Sequence, residues 1–203
     1  MQLCLSLCRS AMTGEGGTYA FSGVEPATHA FEVWPVGEDV DLLVPWVPLL
    51  VPAASEVQMD GSWVPAQARA TIPQTAAPLD LAPGLRLTLG LDTAHAPLGV
   101  TLDEAYGALI PEAARMQTDL SGELLAMWTL GPYDTESTAG GFPLELTQVF
   151  GAEEGATLEV MVATYASDPS VYWESVGSVV ITAGAPVGEV SIPSLGTVAL
   201  VRP

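Results

Sequence analysis

Carboxylates are the main chemical groups this chain of 203 residues offers. Glu38, Asp39 and Asp41 form one short acidic cluster, and Asp134 and Glu136 form another within "GPYDTESTAGG". Oxygen ligands of this kind suit calcium, which takes roughly six to eight of them. Neither cluster follows the D-x-[DN]-x-[DN]-G order of a dedicated calcium loop. The plainer reading of Asp39, Asp41, Asp134 and Glu136 is therefore a solvated acidic loop, with calcium the one cofactor they would suggest. His29 alternates with Phe31 and Val33, which places it on a core face as a packed, hydrogen-bonded residue. His95 lies in the Pro-containing stretch "DTAHAPLG", with no nucleophile at a recognisable spacing. The chain has no G-x-S-x-G elbow, H-E-x-x-H, P-loop or strand-borne G-x-G-x-x-G. "GEGG" (14–17) reads as a turn between strands, because no helix follows to present its N-terminus to a phosphate. No catalytic residue is assigned on this basis. A carboxylate-pair hydrolase is the weakest of the functional readings.

Cys4 and Cys8 are the only cysteines. On one continuous strand they would lie roughly 13 Å apart, too far for a disulfide. With Ser6 in a turn they could face each other across a tight hairpin. The alternative is two buried thiols. A C-x-x-x-C pair without further Cys or His nearby is poor evidence for zinc.

The balance of charge bounds the partners. Asp and Glu number 24 against five cations, all arginine, for a formal charge of −19. Nucleic acid and anionic lipid would be repelled, since binding phosphates needs a basic patch. No apolar stretch reaches the roughly 20 residues of a membrane helix. The nearest, "LLVPWVPLLVPAA" (42–54), is broken by Pro45, Pro48 and Pro52 and reads as an extended edge or connector. "MQLCLSLCRSAM" lacks the basic start and the apolar length of a secretory signal.

The elements that must position these groups are mainly strands. "LDLAPGLRLTLGLD" (79–92) sets Leu85, Leu87, Leu89 and Leu91 on one face and polar residues on the other. "FPLELTQVF" (142–150) alternates in the same way, and "ATLEVMVATY" (156–165) is apolar on both faces, as in a central strand. "VYWESVGSVVIT" (171–182) is a strand interrupted near Gly177, where a bulge is expected. "GEVSIP" and "GTVALV" close the chain as strands. One short helix is predicted at 102–109, because Thr101 and Glu104 have capping-box spacing and Pro111 would end it. The fold class is thus mainly β, with two packed β-sandwich-like domains. The Pro/Ala/Thr-rich stretch 70–78 separates them, giving one domain at 1–70 and a second β-rich domain at 76–203.

"GTYAFSGVEPATHAFEV" (17–33) shows two alternating runs about a turn at Glu25-Pro26. Gly17, Tyr19, Phe21, Val24, Pro26, Phe31 and Val33 give it a pattern that resembles the carboxypeptidase regulatory-like domain, a prealbumin-like β-sandwich common in secreted and surface proteins. Ala27 replaces the family's turn glycine, and His29 its second inward aromatic. Pro26 at the second position of a type I turn accepts Ala next to it. The resemblance covers about residues 1–35 and implies that "QLCLSL" is the strand before this hairpin. In the family a further strand precedes that one. The expectation is therefore that the sequence starts inside a truncated first domain, with the missing strand and an export or lipoprotein signal supplied by upstream sequence. An even cysteine count suits an oxidising, extracytoplasmic compartment. Prealbumin-like sandwiches also include starch-binding modules, which makes Trp46, Trp63 and Trp173 candidate platforms for stacking on sugar rings. Core packing is the plainer use of the same residues.

The acidic, lysine-free composition with short strands is similar to that of exported bacterial proteins. The function expected is a non-enzymatic structural or adhesive one at the cell envelope, with a protein or glycan partner at the surface. A carbohydrate-binding module is the alternative.

Overall fold

The computed structural model describes residues 2–5, 8–12, 14–15, 18–32, 46–53, 69–112, 115, 118–165 and 171–203. Trp63, Glu38, Asp39 and Asp41 lie outside the described residues, while the proposed boundary stretch 70–78 lies within them. The chain is mainly β, and the described residues contain no α-helix.

The first four strands form one antiparallel sheet. They are β1 (Gln2–Cys4), β2 (Cys8–Ser10), β3 (Ala27–Glu32) and β4 (Trp46–Val51), arranged β2-β1-β3-β4. The strand expected over "QLCLSL" ends at Cys4, and Cys4 and Cys8 are register partners on adjacent antiparallel strands, with Cα atoms 4.0 Å apart, joined by a disulfide. This corrects the expectation of an unfilled side on the opening strand: β1 is paired by β3 on one side and by β2 on the other. Among the described strands, β2 and β4 lie at the edges of the sheet. Edge placement explains why β4 tolerates Pro48, which has no N–H to give to a ladder. Residues 18–26 do not form the first arm of a hairpin. Gly23, at a φ of 63°, interrupts the extended run, and Tyr19, Phe21 and Val24 pack against Phe31 as an irregular strap.

The remaining strands build a sandwich. In chain order they are β5 (Arg69–Thr71), β6 (Ala77–Ala82), β7 (Leu85–Leu89), β8 (Ala94–His95), β9 (Glu104–Leu109) and β10 (Glu123–Gly131). There follow β11 (Glu136–Ser137), β12 (Phe142–Leu146), β13 (Thr157–Tyr165), β14 (Val171–Thr182), β15 (Ala185–Val187), β16 (Val190–Ile192) and β17 (Thr197–Arg202). The large sheet has the order β15-β14-β13-β17-β10-β9-β5, and the facing sheet has the order β16-β12-β7-β6. β8 and β11 pair as a small ribbon at one end.

Period-two alternation decides the inner faces. β7 and β12 bury every second residue (Leu85, Leu87, Leu89; Phe142, Leu144, Leu146), and these meet Trp128, Leu158, Val160, Val198 and Leu200 from the large sheet. Trp128 is fully buried, donates its indole N–H to the Pro83 carbonyl at 3.0 Å, and meets the Phe150 ring edge-on at 5.3 Å. Gly84, at a φ of 80°, closes the β6–β7 turn where any Cβ would collide with the Phe150 ring. The predicted interruption near Gly177 is a bulge: Val160 pairs with Gly177 and Met161 with Ser175, leaving Val176 extra.

The large sheet is covered on both faces. Its second face carries Ala108, Ile110 and Met127, which pack with Leu3, Phe31 and Leu49 of the first sheet, so the structure is three layers deep there. This explains the failure of the predicted helix at 102–109. That segment is β9, hydrogen-bonded to β10 and to β5, with Ala105 turned to one layer and Ala108 to the other. Local capping signals lost to burial on two faces. A Cβ at Gly107 would press on Leu130 and on the Leu81 backbone, so close sheet packing uses the glycine.

A candidate binding cleft at the β5–β9 edge

Register sets three residues side by side at one margin of the large sheet. Arg69 of β5 pairs with Tyr106 of β9, and Tyr106 pairs with Gly131 of β10. The tyrosine ring rests on Gly131, where any Cβ would overlap it, which fixes the need for glycine at that position. Pro132 follows through a cis peptide bond and forms part of the same wall. The Arg69 guanidinium lies over the Tyr106 ring, 5.5 Å from its centroid, and reaches Glu104 Oε2 at 3.4 Å. Both partners of that ion pair are about half exposed (50% and 48%), so water screens it heavily. Burial pushes the Tyr106 hydroxyl above its usual range, and the Arg69 charge pulls back against that. The phenol stays neutral at physiological pH and can both donate and accept.

Thr71, Thr101 and Asp103 complete an open cleft of about 470 Å³. Its backbone is held by the Ile72 N–H, which donates to the Asp103 carbonyl at 3.0 Å. The cleft thus combines one guanidinium, two carboxylates, two threonine hydroxyls and an aromatic wall. Such a set places hydrogen-bond donors and acceptors side by side at one margin of the sheet.

The sequence-derived candidates lie elsewhere. Trp173 is half-buried against the layer between the first sheet and the large sheet. Its indole Nε1 is buried, with no hydrogen-bond partner among the described residues. Its neighbour Tyr172 is exposed, as opposite-facing adjacent residues on a strand should be. Trp46 begins β4 at a sheet edge. Asp134 and Glu136 flank the buried Thr135 in the turn leading to β11, and Glu136 pairs in register with His95 of β8. Asp134 adopts a left-handed φ of 58°. Its carboxyl is held above the usual carboxylate range, first by partial desolvation and then by the Glu136 charge. Among the described residues no three His, Cys, Asp or Glu side chains converge as metal ligands would. His29 is buried and donates Nε2–H to the Glu25 carbonyl at 2.8 Å.

Arg69, Tyr106 and Gly131 were not singled out by sequence reasoning. No local motif joins them; only strand register does. Comparison with family models, with curated proteins and with solved structures finds no match for this chain.

Proposed function

We propose that this protein is a non-enzymatic, extracytoplasmic β protein with a structural or adhesive role at the cell envelope. The observation that carries the reading is the Cys4–Cys8 disulfide across the β1–β2 hairpin. Such bonds persist in oxidising compartments and are removed in reducing ones. The layered sheets suit a load-bearing or display role, because they offer broad faces. The pattern at 17–33, with its resemblance to the carboxypeptidase regulatory-like domain, supports the same compartment.

The charge distribution supports partners other than polyanions. Each arginine has a partner inside the chain. Arg86 binds Asp80 at 2.8 Å and Glu145 at 3.2 Å, Arg202 binds Glu123, and Arg69 binds Glu104. Arg9 donates to the Ser22 carbonyl and Arg115 to that of Leu124. With a formal charge of −19 to set the surface potential, phosphate backbones are repelled. Among the described residues no helix is long and apolar enough to cross a membrane.

Thiol trapping in intact producing cells tests the compartment. Maleimide added before lysis should leave Cys4 and Cys8 unmodified, and modification should appear only after reduction. Alkylation of both residues without reductant would place the chain in a reducing compartment and end the proposal.

A further inference from the structure

We infer that Cys8 is a thiol-exchange site. An external thiolate attacks its Sγ, Cys4 is the leaving sulfur, and the opening hairpin passes from a covalently closed state to an open one. The inference stands on the geometry of the hairpin and not on the compartment, so it holds or fails apart from the envelope reading.

The two sulfurs have unlike surroundings. Cys4 is 8% exposed and packs with Ala30 of its own sheet and with Tyr133 and Ala163 of the sandwich. Cys8 opens β2, which is exposed along its whole length. Exchange is a displacement in which the nucleophile reaches one sulfur from the side opposite the other. The bond joins register partners across the β1–β2 ladder, so it runs from one strand to the other. Beyond Cys4 in that direction stands β3, whose Ala30 is the register partner of Cys4. Beyond Cys8 no further described strand follows in the sheet order. Attack from solvent therefore falls on Cys8.

The new bond forms between the external sulfur and Cys8 as the Cys4–Cys8 bond breaks. The electron pair leaves on Cys4, which takes up a proton. A monothiol yields a mixed disulfide at Cys8 and a free Cys4 thiol. A dithiol completes the reduction: its second thiolate attacks its own sulfur in the mixed disulfide and displaces Cys8, so the dithiol is oxidised by two electrons and the cysteine pair is reduced. Little else then holds β2. Its ladder to β1 has three register pairs, and Arg9 adds a hydrogen bond to the Ser22 carbonyl at 2.8 Å. An exposed strand of this kind frays when its covalent tie is lost, and β1 changes from an interior strand to an edge. β1 keeps its pairing with β3, so the sandwich is untouched. A sequence separation of only four keeps the thiols close, and oxidation closes the hairpin again.

Reduction of the purified full chain under native conditions tests this. Reduced glutathione and a thioredoxin-type dithiol protein serve as the two thiol sources, and maleimide traps the products. Reduction should proceed while β10, β13 and β17 keep their amide protection, at a rate that urea below the unfolding transition leaves unchanged. Completion by the dithiol protein alone assigns a protein partner; completion by glutathione as well assigns small thiols. In the reduced chain amide exchange across β1 and β2 should rise about tenfold or more, and reoxidation should reverse it. With glutathione disulfide, Cys4→Ser should be modified at Cys8 at least about tenfold faster than Cys8→Ser is at Cys4. The inference is overturned if the bond resists both reductants until the sandwich unfolds, if β1 and β2 exchange no faster after reduction, or if Cys4 takes up glutathione as fast as Cys8. In those cases unmodified cysteines in the trapping experiment on cells would still uphold the envelope reading.

Discussion

Buried side chains from both of its sheets fill the sandwich of residues 69–203, with Trp128, Phe142 and a row of leucines at its centre. The sheet of residues 2–51 contributes Leu3, Phe31 and Leu49 to a layer whose other half is Ala108, Ile110 and Met127 of the sandwich. One unit makes its own core, whereas the other borrows half of its core and adds a covalent clasp at Cys4–Cys8. A sheet with so few large side chains to bury cannot offset the entropy of ordering its chain, so a cross-link and a docking surface take the place of volume. The two regions should therefore fail separately and to different extents.

The largest effect should come from Trp128→Ala. The substitution removes a fully buried indole, its hydrogen bond to Pro83 and its edge contact with Phe150. A loss of about 4 kcal/mol is expected, read as a lower midpoint in urea with both regions unfolding together. Survival of the sandwich with its midpoint unchanged would refute the division of labour.

Phe31→Ala should cost about 3 kcal/mol, but of docking rather than of the sandwich. Phe31 is fully buried in the shared layer and stacks on Tyr19 with centroids 6.0 Å apart. Amide exchange should accelerate across 2–51 while β10, β13 and β17 keep their protection. Uniform acceleration in both regions would mean that the sandwich depends on the first sheet as well. Cys4→Ser/Cys8→Ser should have a smaller effect, about 2 kcal/mol for so short a closed loop. That loss should be confined to β1 and β2, so the main thermal transition should hardly move.

The same contrast decides what could be read from the residues. In the sandwich, Leu85, Leu87 and Leu89 and then Phe142, Leu144 and Leu146 each face one core, so alternation survives in the sequence. Alternation does not mark β10, because "ELLAMWTLG" is buried on both faces and is rich in Leu, Ala and Met, which favour helix. The sequence predicts a helix over β9 for a related reason: its capping-box spacing is local, whereas the ladders to β5 and β10 are not. In the first sheet, Tyr19 and Phe21 alternate like a strand yet pack as a strap, since burying their rings on Phe31 does not require a ladder. The cleft at the β5–β9 edge left no local mark, because Arg69, Tyr106 and Gly131 come from three strands and meet only through register. Gly131 is the one residue whose type betrays the arrangement, and only once the Tyr106 ring is seen above it.

The smallest effect concerns the turn before β11, and its sign is the useful part. The fold raises the affinity of Asp134 for its proton, through partial desolvation and the nearby Glu136 charge. In the unfolded chain the same carboxyl ionises near pH 3.9. Below that value Asp134 is protonated in both states and costs nothing. As the pH rises past it, the unfolded chain ionises first, so folding is opposed until the higher folded value is passed, and the cost then stays constant. Asp134→Asn removes the charge and keeps a residue type that tolerates the left-handed φ of 58°. The variant should be more stable than the parent at pH 7, by less than about 1 kcal/mol after solvent screening, and indistinguishable from it at pH 3. Paired thermal melts at the two pH values measure this. A gain of equal size at both would trace the effect to the backbone preference of asparagine rather than to charge. A loss at pH 7 would show that the carboxylate makes a favourable contact in the turn, and that the turn is stabilised by Asp134 rather than strained by it.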